Sequence, residues 1–86
     1  MMQINPGRVD VLRALIAAEA TVTAARGRPA IAAALRGGLA SLARYAGKPD
    51  YLAAWRHLMA LAVTRGLVEH EAETEATRAL VWGTVS

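Results

Sequence analysis

The chain has no cysteine and no phenylalanine among its 86 residues. The absence of cysteine excludes disulfides and thiolate metal sites, and it is typical of a reducing compartment. The amino end, MMQINPGRVD, has no apolar core behind a basic start, so no secretory signal is expected. The longest weakly polar run, ALIAAEATVTAA, is too short and too polar for a membrane span of about 20 apolar residues. We therefore expect a cytoplasmic protein without a membrane segment.

Sequence signatures of catalysis are absent as well. The chain has no nucleophile elbow, no phosphate-binding glycine loop and no pair of carboxylates with a nearby histidine. The two histidines, His57 and His70, have no cysteine or carboxylate at ligand spacing, so no metal site is expected. The chain is therefore predicted to be a non-enzyme, with no catalytic residues and no cofactor.

Positive charge is concentrated in the first two thirds of the chain. Residues 1–56 carry eight of the ten basic residues against three acidic ones, whereas residues 57–86 carry two basic residues and four glutamates. Nine of the ten basic residues are arginine, whose planar guanidinium suits phosphate and guanine. This distribution indicates an anionic partner, although an excess of alanine and arginine is also typical of a GC-rich genome.

Helical patterns fill the same part of the chain. Pro6 suits the first helical position, and the apolar residues that follow it repeat at the helical period. Gly37-Gly38 are predicted to separate two short helices, and Gly66 to stop a long one. Four helices are therefore predicted, over residues 6–24, 29–36, 39–46 and 50–65.

After Gly66 the apolar pattern changes from the helical period to alternation. LVEHEAE and TRALVWGTV alternate in the manner of strands, and they contain β-branched and aromatic residues. The segment between them, AETEA, is short and polar. These features predict a mainly α fold with a C-terminal β-hairpin, and since no linker or repeat interrupts it, residues 1–86 are expected to form one domain.

This order of elements resembles a winged helix-turn-helix domain. GLVEHEAETEATRALVWGTV is similar to the wing of the MarR-type bacterial regulators, in which a long helix ends in Gly-Leu-Val or Gly-Leu-Ile. Residues 66–68 match that helix exit, Glu73 and Glu75 match the acidic tip, and Arg78 matches the return strand. The resemblance implies that the glutamates form a solvated wing tip, with a cation site as a less favoured interpretation.

The helix-turn-helix part of the resemblance lies in LASLARYAG. Leu42, Ala43 and Gly47 have the expected spacing of an apolar residue, a small residue and a turn glycine. The resemblance implies a transcriptional regulator that reads double-stranded DNA with helix 50–65, as a homodimer. The residues expected to contact DNA are Lys48, Arg56, His57 and Thr64 in the major groove, Arg44 at the backbone, Arg26, Arg28 and Arg36 at further phosphates, and Arg78 in the wing.

Helix 50–65 is apolar nearly all round, which is unusual for a helix that enters a major groove. A core stripe is predicted at Trp55, Met59, Ala62 and Val63. The alternative function is therefore a protein-interaction module, such as a phage-encoded modulator, that binds a larger partner through Leu58 and Leu61, with Trp82 as a further interface residue. Burial of these leucines would leave Arg56 free for DNA, whereas their exposure would favour a protein partner.

Residues 26–29, Arg-Gly-Arg-Pro, resemble the AT-hook, a peptide that lies in the DNA minor groove. The flanking segments are helical in character, and Gly27 and Pro29 are explained by the end of one helix and the start of the next. We therefore interpret Arg26 and Arg28 as ordinary phosphate contacts or solvated loop charges.

Overall fold

The structure, a computed structural model, describes the backbone of residues 6–85 and the side chains of residues 9–81. Over this part the chain forms four α-helices and no strand. The helices are α1 (Pro6–Ala24), α2 (Arg28–Ala43), α3 (Tyr51–Thr64) and α4 (Glu69–Val85). The predicted helices over 6–24 and 50–65 are confirmed to within one residue at each end.

The predicted C-terminal β-hairpin is wrong, because residues 69–85 form the single helix α4. A winged helix-turn-helix fold is excluded with it, and Arg78 lies on a helix rather than on a return strand. The segment EHEAETEATRAL is rich in alanine and glutamate, which favour helices and are depleted from strands. Ala72, Ala76 and Ala79 recur at helical spacing and turn towards the core.

Glu71 explains why α4 begins where it does. Its Oε1 atom accepts a hydrogen bond from the backbone N–H of Val68 at 3.2 Å, as a glutamate does in the third position of a capped helix. Glu69 and Glu71 in the first turn also interact favourably with the positive end of the helix dipole. Glu69 and Glu71 therefore stabilise the start of a helix, and Glu73 and Glu75, which we expected at a wing tip, lie further along the same helix.

The prediction of two short helices on either side of Gly37-Gly38 is also wrong, because α2 runs through both glycines. Gly38 is buried where α2 meets its neighbours: a Cβ placed on it would lie 2.8 Å from the Cβ of Ala18 on α1 and 2.8 Å from Cδ2 of Leu58 on α3. Glycine at this position allows α1 and α3 to approach α2 closely. It does not end the helix.

The connection from α3 to α4 is closed by Gly66, which has a φ of +127°. The N–H of Gly66 donates to the carbonyl of Val63 at 3.0 Å, and that of Leu67 donates to the carbonyl of Ala62 at 3.0 Å. This is the Schellman arrangement, and the side chain of Leu67 folds back into the core. The predicted glycine stop of the long helix is confirmed, but the chain then enters α4.

α2 is the central helix of the bundle. It packs against each of the other three helices, whereas α1 and α4 do not touch each other. The largest fully buried side chains are Val11, Val22, Leu35, Leu39, Leu42, Leu58 and Leu67. Because α1 and α4 flank the bundle, one side of each remains exposed. Across the described residues, no helix combines the length and apolarity that crossing a membrane requires.

Candidate functional site

Three of the arginines predicted to contact DNA are bound to carboxylates of α4. Arg28 pairs with Glu71, with its Nε atom 3.2 Å from Oε1. Arg36 and Arg78 each donate from Nη1 to one oxygen of Glu75, both at 3.2 Å. Glu75 is only 6% exposed, so this carboxylate lies inside the contact between α2 and α4. The pairs of Arg28 and Arg36 join α2 to α4, whereas the pair of Arg78 lies within α4.

The Arg28 contact changes the acidity of its partner. Hydrogen bonds from the Arg28 guanidinium and from the Val68 amide lower the pKa of Glu71 below its ordinary value, because both favour the charged carboxylate. Glu71 therefore has two structural roles: it starts α4 and it ties α4 to the beginning of α2.

Two further polar contacts connect α1 with α3. Nε2 of His57 lies 3.2 Å from Oε1 of Glu19, so this predicted major-groove residue faces α1. Arg65 donates from Nη2 to the backbone carbonyl of Thr23 at 2.9 Å and joins the ends of the two helices. Sequence reasoning did not select Arg65, and a contact between residues 42 positions apart has no local signal.

The remaining predicted cations are Arg26, Arg44, Lys48 and Arg56. All four are exposed, and within the described part of the chain their side chains have no ion pair or hydrogen bond. Arg26 precedes α2 whereas Arg44 and Lys48 follow it, and the 16 residues of α2 span about 24 Å. The predicted DNA contacts are therefore divided between the two ends of the bundle.

An apolar cleft of about 410 Å³ opens between α3 and α4. These helices contact each other least of all the neighbouring pairs. The cleft is lined by Met59, Ala60, Val63 and Thr64 of α3 and by Glu69, Ala72 and Glu73 of α4. Its volume lies in the range of pockets that bury a ligand or a group of side chains.

Two carboxylates stand at the α4 side of this cleft. Glu69 and Glu73 are exposed and one helical turn apart, and neither carboxylate has an ion pair or hydrogen bond within the described residues. Glu71 and Glu75, by contrast, lie on the α2 side of α4 and are paired with arginines. α4 therefore has one neutralised acidic face, towards α2, and one acidic face without partners, at the cleft.

The predicted interface residues of α3 differ in the burial of their side chains. Leu58 is fully buried in the core and offers no surface to a partner, and Leu61 is half-buried against it. Of the predicted core stripe, Ala62 is fully buried and Trp55 and Met59 pack against the core, whereas Val63 is exposed. The exposed large apolar residues of α3 are Leu52, at 62%, and Val63, at 36%. The side chain of Trp82 lies outside the described residues.

Among the described residues, no three histidine, aspartate or glutamate side chains form a group that could hold a metal ion. Comparison with known proteins gives no relative: the chain matches no protein-family model, no curated protein and no solved structure. Function is therefore inferred from the surface itself.

Proposed function

We propose that the chain is a protein-interaction module that binds a partner through the α3–α4 surface, which consists of the cleft described above together with the exposed Val68 just before α4. The cleft is the observation that carries this proposal. It combines an apolar lining, the exposed aliphatic side chains of Val63 and Val68, and two carboxylates that have no ion pair or hydrogen bond within the described part of the chain. Exposed apolar patches with a polar rim are typical of protein-binding sites.

Binding of double-stranded DNA, and with it transcriptional control, is the second candidate. Its support is the set of three exposed cations, Arg44, Lys48 and Arg56, together with the burial of Leu58. The exposed carboxylates of Glu69 and Glu73 at the cleft oppose it, because carboxylates repel phosphate. The arginines already engaged by α4 also leave fewer cations for DNA, so we place protein binding first.

Two substitutions separate these functions. Val63→Glu places a charge in the apolar cleft and leaves every cation in place, whereas Arg56→Ala removes an exposed cation and leaves the cleft intact. Both positions are exposed, so circular dichroism is expected to show a folded chain. Leu58→Glu is unsuitable because that side chain is buried.

The assays are affinity capture from a cell lysate with the immobilised chain and titration of a random-sequence DNA duplex at about 50 and 200 mM salt. We expect the wild-type chain to capture one protein that Val63→Glu no longer captures and Arg56→Ala still does. Duplex binding should be weak for the wild type and for both variants. Tight, salt-sensitive duplex binding that Arg56→Ala abolishes and Val63→Glu preserves would instead establish the DNA-binding function.

Two expectations from the sequence remain part of the proposal, a homodimer and a cytoplasmic location. Leu12 and Ile16, one turn apart on α1, are 50% and 61% exposed, and they offer an apolar contact for a second copy. Native mass spectrometry measures the oligomeric state, and cell fractionation measures the location.

A further inference from the structure

We infer that the occupant of the α3–α4 cleft is a basic amphipathic helix of a partner protein. This inference rests on the proposed function, since it specifies the partner of the same surface. It comes from the way in which α4 already binds a helix of its own chain.

The contact between α4 and α2 shows what α4 recognises. On that face two glutamates one turn apart, Glu71 and Glu75, accept hydrogen bonds from Arg28 and Arg36, which lie two turns apart on α2. Next to these carboxylates along α4, Ala72 and Ala79 are fully buried in the core. The pattern is a carboxylate pair beside a row of small residues, matched by cations on the opposing helix.

The other face of α4 carries a second carboxylate pair, which has no ion pair or hydrogen bond among the described residues. Glu69 and Glu73 have the same four-residue spacing as Glu71 and Glu75. Residues 69, 73, 76 and 80 fall on one stripe of the helix, and along it half-buried Ala76 is followed by Leu80, which is 51% exposed. This stripe therefore presents carboxylates at one end and an apolar side chain at the other.

Charge decides which helix suits the cleft. The apolar lining would accept an aliphatic side chain from many helices, but an acidic helix would bring like charges towards Glu69 and Glu73. A helix with two Arg or Lys residues two turns apart and a Leu or Met between them would pair with both carboxylates and fill the space beside Met59 and Val63. Its binding is expected to weaken as salt screens the pairs.

The test uses the full chain, labelled with ¹⁵N, and three synthetic peptides of about 15 residues. The first peptide is an Ala-rich helix with two arginines eight positions apart and a leucine between them. The second has the same composition in scrambled order. The third has glutamate in place of arginine. Titrations followed by amide chemical shifts give both the affinity and the position of binding.

The first peptide is expected to shift amides of Met59, Val63 and Ala72 and to bind best at low salt. The double substitution Glu69→Gln/Glu73→Gln is expected to weaken the affinity for the first peptide by about tenfold. The matched control is Asp10→Asn, which removes an exposed carboxylate from α1, a helix that does not touch α4. This control is expected to change the affinity by less than about twofold.

Three results would overturn the inference: equal binding of the scrambled peptide, undiminished binding to the double variant, or no shift at the cleft. Preferential binding of the acidic peptide in the cleft would also overturn it, yet it would leave the proposed function in place. If partner capture is in addition insensitive to Val63→Glu, the proposed function fails as well.

Discussion

At the scale of single residues, two adjacent glycines of α2 occupy different environments. A Cβ on Gly38 would meet Ala18 and Leu58 at 2.8 Å, whereas a Cβ on Gly37 would meet nothing within 4 Å. Gly38→Ala is expected to destabilise the fold by about 1–3 kcal/mol, because packed helices must move apart. Gly37→Ala is expected to stabilise it by up to about 1 kcal/mol through helix propensity. Urea unfolding measures both, and equal effects would contradict the close approach at Gly38.

The second prediction at this scale concerns Glu71, whose pKa is lowered by the Arg28 and Val68 hydrogen bonds. A carboxyl group with a lowered pKa in the folded state stabilises the fold at pH values above its unfolded pKa, and this stabilisation is lost as the pH falls through the folded value. We therefore expect the free energy of unfolding to decrease on acidification.

Glu71→Gln should be less stable than wild type at neutral pH and should lose less stability in acid. Urea titrations at a series of pH values between neutral and acid measure this dependence. Glu73→Gln is the matched control, because that carboxylate has no ion pair among the described residues, and it should retain most of the wild-type dependence. A Glu71→Gln profile parallel to that of wild type would contradict the role of the Arg28 contact.

At the scale of helices, sequence patterns located α1 and α3 because the end signals and the apolar period coincide there. Pro6 begins α1 and Gly66 closes α3. Two predictions are wrong, the hairpin over residues 67–85 and the helix break at Gly37-Gly38. They have a common cause, because in each segment a short local pattern conceals a longer helical period. Buried residues of α2 continue at helical spacing through Gly38, and the alanines of α4 repeat in the same way under the apparent alternation.

The candidate site was less predictable than the helices. Whether Leu58 or Leu52 is exposed depends on the rotation of α3 about its axis, which its neighbours decide. The pair between Arg36 and Glu75 joins residues 39 positions apart, and no local pattern indicates it. The cleft depends on how α4 lies against α3, so a prediction that folds residues 67–85 into a hairpin contains no such cleft.

The buried carboxylate of Glu75 supports the docking of α4 on α2. Glu75→Ala removes hydrogen bonds to Arg36 and Arg78, and it is expected to cost about 1.5–3 kcal/mol of stability. Glu73→Ala, on the same helix but exposed, is expected to change stability by no more than about 0.5 kcal/mol. Thermal and urea unfolding compare the two variants, and a similar loss in both would show that the ion pairs contribute little to docking.

At the scale of the whole molecule, part of the charge asymmetry of the sequence is neutralised by ion pairs between helices. Basic residues of the front half and glutamates of the back half meet where α2 packs against α4, through Arg28 with Glu71 and Arg36 with Glu75. A segregation that indicated an anionic partner therefore serves in part to hold the bundle together. What remains for partners is a set of separated surface charges, of which Glu69 and Glu73 adjoin an apolar cleft.

The arrangement of helices also predicts the order in which the molecule opens. α2 contacts all the other helices, whereas α1 and α4 lie on opposite flanks and do not contact each other. Amides in the middle of α2, over residues 35–42, should therefore exchange with solvent only on global unfolding, and those of α1 and α4 should exchange sooner through local opening. Hydrogen exchange followed by NMR measures this order. In Glu75→Ala, exchange should accelerate in α4 and remain slower in α1, because the lost pair with Arg36 connects α4 to α2 and the lost pair with Arg78 lies within α4. Equal acceleration in α1 and α4 would mean that the two flanks open together, contrary to their separation in the structure.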